Sequence, residues 1–385
     1  MLERFFIKNT TRGVVLMKKI LILGVAAVQA EAIMTLNELG YETFAVAMKN
    51  DGPGSKIAKH FKEINILDKE KIIEYIKENS IDFVYSTGSD LAIPVAMELS
   101  EQLNLPHFVS SETARTTNNK DMMREKLGHD FVGNIPFQII ENIDDEIKLN
   151  YPFIMKPTDS QGQRGVNIIN SHSDFLDLFE STKNYSRSGK VIIEYLVDGP
   201  EISVNGYVVD GELKLMVASD RETWQQYVGL IHKHIVPASV LNESSENELY
   251  SIMNNLVKKL NINNGPVYAQ VKVENNKPYV IEVTPRLDGC HMWKVIKMYN
   301  NIDLMKLTFE HLIEGNTAEL NNLAKPNSQV ELEFICQEPN TSADYDNYKT
   351  GIESAEESYL YYNQGENIRP VNGKYEKIGY MINRK

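Results

Sequence analysis

The stretch Val267–Gly289, VYAQVKVENNKPYVIEVTPRLDG, sets an amide, a carboxylate and a hydroxyl on two apolar–polar alternating runs around an Asn275-Asn276 turn. The turn brings Gln270 nearly opposite Glu282. Thr284, two residues further, faces the same side. Oxygen-bearing side chains on one wall suit a hard cation such as Mg2+ (or Mn2+), which takes its remaining ligands from water and phosphates. Arg286 follows Pro285 and offers a planar fork for a phosphate or carboxylate. The plainer alternative is a surface salt bridge from Glu282 to a lysine, and one of these features alone would favour it.

Two further stretches carry related chemistry. In FIMKPTDSQGQRGV, Lys156 closes a strand and Gly162-Gln163-Arg164-Gly165 turns the chain. Glycines flanking polar residues free backbone N–H groups to surround phosphate oxygens, and the lysine adds charge; an ordinary hairpin turn would look the same. In VIIEYLVDGPEISVNG, the strand end Glu194-Tyr195-Leu196-Val197 can pair its backbone with an adenine edge, and Glu201 can hold ribose hydroxyls. Taken alone, Glu201 reads as a solvated carboxylate after a turn.

The elements that must position these groups follow from periodicity. KKILILGV, ETFAVAM and IDFVYSTG read as strands, alternating with helical QAEAIMTLNELGY, DKEKIIEYIKENS and IPVAMELSEQLNL. This alternation to about residue 110 implies an open parallel α/β sheet. The first turn, GVAAVQA, lacks the further glycines of a dinucleotide fingerprint, which argues against an oxidoreductase. GPGS (52–55) and STGSD (86–90) lie at strand C-terminal ends, as ligand loops or plain turns. The polar connector and helix 112–128 lead elsewhere. From Tyr151 hairpins dominate, interrupted by the helix SDFLDLFEST. A second helix, ESSENELYSIMNNLVKKLNI, carries Leu249, Ile252, Met253, Leu256, Val257 and Leu260 on one stripe. The tail reads as strands in VELEFICQE, YLYYNQG, IRPVNG and KIGYMIN.

The chain has 385 residues, enough for two or three domains, and a formal charge of -13. That charge argues against nucleic acid or an anionic membrane as the main partner. Two cysteines, Cys290 and Cys336, give no disulfide framework or metal spacing and fit a reducing compartment. No apolar run approaches the ~20 residues of a membrane span. Residues 1–16 break their apolar runs with charges, so they read as an extension, disordered or not native, rather than a signal peptide. The cytoplasm is the expected location.

Lys120 in NNKDMMR, Lys156-Pro157 before the glycine loop, Glu194 with Glu201 seven later, and Gln270…Glu282-x-Thr284-Pro-Arg286 come in the order seen in the ATP-grasp superfamily, which the chain resembles over about residues 18–320. The resemblance implies a mixed α/β and α+β ATP-grasp fold. An N-terminal open parallel α/β (pre-ATP-grasp) domain would span 17–112. The ATP-grasp domain would span 113–320, with a small lid at about 130–197, and a C-terminal β segment 321–385. Carried over by position, Lys120 and Lys156 would contact ATP phosphates, and the Gly162–Gly165 loop would close over them. Glu194, Tyr195 and Val197 would frame the adenine, and Glu201 the ribose. Gln270 and Glu282 would bind magnesium; the glutamine resembles that of carbamoyl-phosphate-synthetase-like members. Arg286 would stabilise the acyl phosphate or the transferring phosphoryl group. Thr284 departs from the usual Asn, and Gln270 from the usual acid.

The implied activity is an ADP-forming carbon–nitrogen ligase, in which a substrate carboxylate becomes an acyl phosphate that an amine attacks. The partners would be small-molecule acid and amine substrates, with a homodimer as a candidate assembly. A bicarbonate-using carboxylase or carbamoyl-phosphate-type enzyme is one alternative, and a non-catalytic ATP-binding module another. Asp288, Cys290 and His291 lie at a candidate substrate edge, where His291 is a proton carrier or a satisfied structural histidine. IHKHIVPA (231–238) is a candidate acceptor wall or a solvated face.

Overall fold

The computed structural model describes residues 17–160, 164–227, 229–326, 328–371 and 373–385; the extension 1–16 lies outside them. β-Branched and aliphatic runs build a first sheet of β1 (Lys19–Leu23), β2 (Glu42–Ala47), β3 (His60–Glu63) and β4 (Phe83–Tyr85), in the order β3-β2-β1-β4. All its pairings are parallel. β1 is buried nearly throughout because helices cover it, among them Ala27–Glu38 and Ala92–Gln102. The dinucleotide position in the first turn is filled by a side chain. Gln29 Oε1 accepts the Ala26 N–H at 3.0 Å, and its Nε2 donates to the Thr87 carbonyl.

The polar 112–128 connector is two helices, Ser111–Asn118 and Lys120–Leu127, rather than one. Asn119 separates them with an extended backbone (φ -118°, ψ 120°). A small antiparallel sheet follows, of β5 (Phe137–Ile140), β6 (Phe153–Pro157), β7 (Asn167–Ile169) and β8 (Val191–Tyr195), ordered β5-β8-β6-β7. The helix His172–Lys183 packs Phe175 and Phe179 onto it, with Phe153, Met155 and Ile193. Each such large side chain contributes ~1.5–3 kcal/mol on full burial, so this lid has a core of its own.

The third sheet is antiparallel and holds eight strands: β9 (Glu201–Val209), β10 (Glu212–Thr223), β11 (Ile231–Val236), β12 (Gly265–Glu274), β13 (Lys277–Thr284), β14 (Val330–Gln337), β15 (Glu357–Leu360) and β16 (Glu376–Arg384). Their order is β13-β12-β9-β10-β11-β14-β16-β15, so the strands of the 321–385 segment extend the sheet that carries the Val267–Gly289 hairpin. The helix Glu243–Lys259 lays its expected stripe, Leu249 through Val257, against this sheet. IRPVNG, expected as a strand, is not one: it follows a single bridge from Asn367 to Ser342, and Pro370 has no N–H for a ladder. One continuous apolar core, from Ile20 to Ile382, joins the first and third sheets.

Two glycines let these sheets meet. Gly88 has φ +66°, and a Cβ there would lie 2.9 Å from the Gly289 Cα. The STGSD loop is thereby pressed against the loop that follows Arg286. Gly88→Ala is expected to cost about 1–3 kcal/mol through positive-φ strain and the backbone clash. Thermal unfolding measures the loss, and an unchanged midpoint would mean the two loops part freely.

Candidate active site

A buried ion triad ties the lid to the large sheet. β6 and β8 pair with Ile154 opposite Glu194, which sets Lys156 and Glu194 on neighbouring strands. Lys156 Nζ lies 2.7 Å from Glu194 Oε2, and Arg124 Nε donates to Glu194 Oε1 at 3.0 Å. All three side chains are almost wholly buried. Burial alone would raise the Glu194 carboxyl, but Arg124 and then Lys156 overcome it and hold the group at about 2. Burial pushes Lys156 below its ordinary value, against the pull of Glu194. With its carboxylate engaged on both sides, Glu194 fixes the lysine.

Arg124 then reaches the metal-wall hairpin. Its Nη1 donates to the Val280 carbonyl at 2.7 Å and to Asn134 Oδ1 at 2.8 Å, and its Nη2 to the Ile281 carbonyl at 3.0 Å. Those carbonyls belong to a bulge, where the β12–β13 register shifts between Gln270 and Val271. The bulge sits beside the expected pair: Gln270 is opposite Glu282, and Tyr268 opposite Thr284. Gln270 and Glu282 are half-buried, and among the described residues neither side chain makes a hydrogen bond or ion pair. An amide oxygen and a carboxylate, side by side and unengaged, fit a hard cation. Thr284 differs, because its side chain acts on Asp90 and helps lower that carboxyl.

Asp90 is a site residue that sequence reasoning left inside a loop. Its carboxylate accepts from Nε of Arg286 at 2.6 Å, with Nη2 also 2.6 Å away. Burial would raise its carboxyl; Arg286 reverses this, helped by Thr284 and Lys120, so the group lies below the usual carboxylate range. Arg286 is itself buried, with its guanidinium 5.5 Å over the Tyr268 ring.

The remaining candidates are placed as follows. Lys120 Nζ donates to the Ser160 carbonyl at 2.8 Å, at the base of the glycine loop. Gly162 and Gln163 lie outside the described residues. Gly165 has φ +71° and is packed so closely on Tyr185 that a Cβ would come within 2.8 Å of it; Arg164 adjoins it. Tyr195 is exposed, its hydroxyl donating to Glu274, whereas Val197 is buried and its carbonyl accepts from Lys272 Nζ at 3.1 Å. Glu201 pairs across strands with Lys272, two residues from the Ser203–Gln270 pair, and its carboxylate meets Arg221. The β9–β12–β13 face therefore runs without a break from Glu201 to Glu282.

Asp288 is buried, its Oδ1 accepting the Cys290 N–H at 3.1 Å. Of the two readings the sequence left open for His291, its contacts favour the satisfied structural histidine. Its Nδ1 lies 2.9 Å from Glu31 Oε1 and its Nε2 2.6 Å from the Tyr361 hydroxyl, so both ring nitrogens are engaged. Glu31 also accepts from Trp293 Nε1 at 2.7 Å and the Tyr380 hydroxyl at 3.0 Å, which locks the first helix to the large sheet. In IHKHIVPA the residues divide. His232 and Lys233 pair with Glu333, while His234 is fully buried.

Comparisons with known proteins find similarity in sequence and in fold. Residues 149–294 match the model of the ATP-grasp domain. A formate-dependent phosphoribosylglycinamide formyltransferase of Prochlorococcus marinus subsp. pastoris is 28% identical over 181 residues, 46% of this chain and 46% of that relative. The chain thus matches about half the length of that protein. The same enzyme from Prochlorococcus marinus strain MIT 9515 is 26% identical over 278 residues, 70% of each chain. Among solved structures, phosphoribosylglycinamide synthetase from Anaerococcus prevotii superposes with a TM-score of 0.78 at 20% identity, covering 96% of this chain and 94% of that one. By its ordered motifs and the domain match over residues 149–294 the chain is similar to the ATP-grasp superfamily, and it shares the fold of that solved structure over 96% of its length.

Proposed function

We propose that the chain is an ATP- and magnesium-dependent, ADP-forming ligase that activates a substrate carboxylate as an acyl phosphate for attack by an amine. The observation that carries this reading is the unengaged Gln270–Glu282 pair, joined through the Ile281 carbonyl, Arg124 and Glu194 to Lys156. One chain of contacts thereby links a cation wall to a phosphate-binding lysine. The named relatives, a formate-dependent formyltransferase and a synthetase, suit the same chemistry.

Glu282 and Gln270 hold the metal, with Thr284 turned toward Asp90. Magnesium bound there would offset charge developing on the phosphoryl oxygens. Lys156 and Lys120 take the phosphates, the Gly162–Gly165 loop covers them, and Glu201 takes the ribose. Asp90 orients Arg286 toward the transferring group. A carboxylate oxygen of the substrate bonds to the γ-phosphorus as the bond to ADP breaks. The amine nitrogen then bonds to the acyl carbon, inorganic phosphate leaves, and the nitrogen loses a proton. The lid over this site keeps water from the acyl phosphate.

No described helix is long and apolar enough to cross a membrane. The reading places the enzyme in the cytoplasm, acting on small-molecule acids and amines, with a homodimer as its assembly. The test is ADP release from Mg·ATP with a panel of carboxylic acids, using hydroxylamine as a generic amine. Hydroxamate formed in step with ADP is the expected result. Turnover that requires bicarbonate and no other acid would replace this reading with a carboxylase, and tight ATP binding with neither product would replace it with a binding module.

A further inference from the structure

Residues 196–200 lead the chain out of the lid into β9 and form neither helix nor strand. Their backbone groups need partners outside a ladder, and the end of β12 supplies them. Lys272 Nζ donates to the Val197 carbonyl at 3.1 Å, and Glu274 Oε1 accepts the Asp198 N–H at 2.6 Å. That carbonyl and that N–H are the two ends of one peptide unit, so a cation and an anion clamp a single amide plane from both sides. The Tyr195 hydroxyl also donates to Glu274, 3.2 Å from Oε2. Below the clamp the Val273 N–H donates to the Pro200 carbonyl at 3.0 Å. Gly199 lies so close that a Cβ there would overlap the Val273 carbonyl oxygen.

Lys272 and Glu274 stand two residues apart on β12 and share a face with Gln270. Lys272 is paired with Glu201 on β9 and with Tyr279 on β13. A lysine beside a carboxylate would ordinarily form an ion pair. Here the Glu201 carboxylate meets Arg221, and among the described residues Lys272 forms no ion pair. Its ammonium is given to a neutral carbonyl, and the Glu274 carboxylate to an amide and a phenol. Surface charge pairing does not explain either choice. Both side chains act on the hinge backbone.

The clamp holds the residue at which the base is expected. With the Val197 carbonyl taken by Lys272, the Val197 N–H has no partner among the described residues. Tyr195 is anchored from the other side, its N–H donating to the Pro136 carbonyl at 2.9 Å. Only Leu196 and Val197 lie between the two fixed peptides, so the direction of the Val197 N–H is set. Such a donor matches N1 of adenine, which is an acceptor. It opposes N1 of guanine, which carries a hydrogen.

We infer that Lys272 and Glu274 are positioning residues for the nucleotide. Acting through the hinge backbone, they hold the Val197 N–H in register with the base and set the preference for an adenine over a guanine nucleotide. This inference rests on the nucleotide-binding part of the proposed reading and adds the residues that choose the base.

The test measures binding of Mg·ATP and Mg·GTP to the full chain by calorimetry, with no acid or amine present, so it does not depend on turnover. The parent should bind ATP more tightly than GTP. Lys272→Met keeps the stem and loses the donor, and it should weaken ATP binding at least about 10-fold, as loss of a charged hydrogen bond does. GTP binding should change little, so the preference collapses. Lys272→Arg still donates and should bind ATP as the parent does. Glu274→Leu should repeat the pattern from the other end of the peptide, and it carries the test if Lys272→Met fails to fold. ATP binding unchanged in both variants, or a loss that Lys272→Arg does not restore, would overturn the inference. So would a parent that binds the two nucleotides alike, or variants that lose both together, since a merely structural clamp costs both equally. The expected pattern in a chain that releases no ADP with any acid would overturn the ligase reading alone. A parent that binds neither nucleotide would overturn both.

Discussion

Glu282→Ala is expected to lower magnesium-dependent ADP release by at least about 100-fold while stability stays within about 0.5 kcal/mol of the parent chain. The two halves of this result have separate causes. Glu282 supplies the only negative charge of the wall formed with Gln270 and Thr284. Removing it leaves an amide oxygen, too weak a ligand to hold a dication in water. The fold loses little, because the half-buried carboxylate makes no hydrogen bond or ion pair among the described residues. Activity assayed across a magnesium titration, beside urea unfolding, checks both halves. Parent-like activity would remove Glu282 from the metal wall, and a large loss of stability would mean that the carboxylate holds structure.

Much of this wall was legible in the sequence because alternation and a two-residue Asn-Asn turn fix strand register. Counting back from Asn275-Asn276, whose positive φ angles of 51° and 64° such a turn requires, sets Gln270 opposite Ile281 and so beside Glu282, and the bulge at Ile281 moves the pairing onto Glu282. The open parallel sheet was readable for a similar reason, since helical and strand periods alternate cleanly before residue 110. The bulge at Ile281 was not. It turns two carbonyls toward Arg124, a side chain distant in sequence, and no local pattern encodes that approach. Arg124 itself reads as the solvated face of a short polar helix, and only tertiary closure shows it fully buried. Asp90 was quoted within STGSD but given no role. Its role depends on Gly88 and Gly289 meeting across a domain boundary.

At His291 the sequence left a proton carrier and a structural histidine equally open, because its partners, Glu31 and Tyr361, lie 260 and 70 residues away in sequence. Proximity along the chain pointed to the cleft, and packing turned the ring into a brace between helix and sheet. His234, in a stretch equally consistent with a solvated face, is the histidine whose Nε2 remains unpartnered next to Asp288.

Arg124→Met should be the most damaging single change to the fold, costing about 3–5 kcal/mol, because it strands Glu194 and leaves Asn134 and two carbonyls without their donor. Adding Glu194→Gln to it should recover part of the loss, since the stranded charge is then gone; a double variant as unstable as the sum of the singles would deny the coupling. The same triad sets an acid limb. Glu194 is held at about 2 in the folded chain, against an ordinary value of 4.5. The unfolded state therefore takes up the proton first as pH falls. The stabilisation, about 3 kcal/mol, is fully present above about pH 4.5 and is lost progressively from there toward pH 2. Urea unfolding at a series of acidic pH values should show the parent losing stability across that window, and Glu194→Gln, already weaker at neutral pH, losing correspondingly less. Parallel acid limbs for the two proteins would mean that Glu194 is not held between Arg124 and Lys156 in solution, and the lid would then lack its tie to the metal wall.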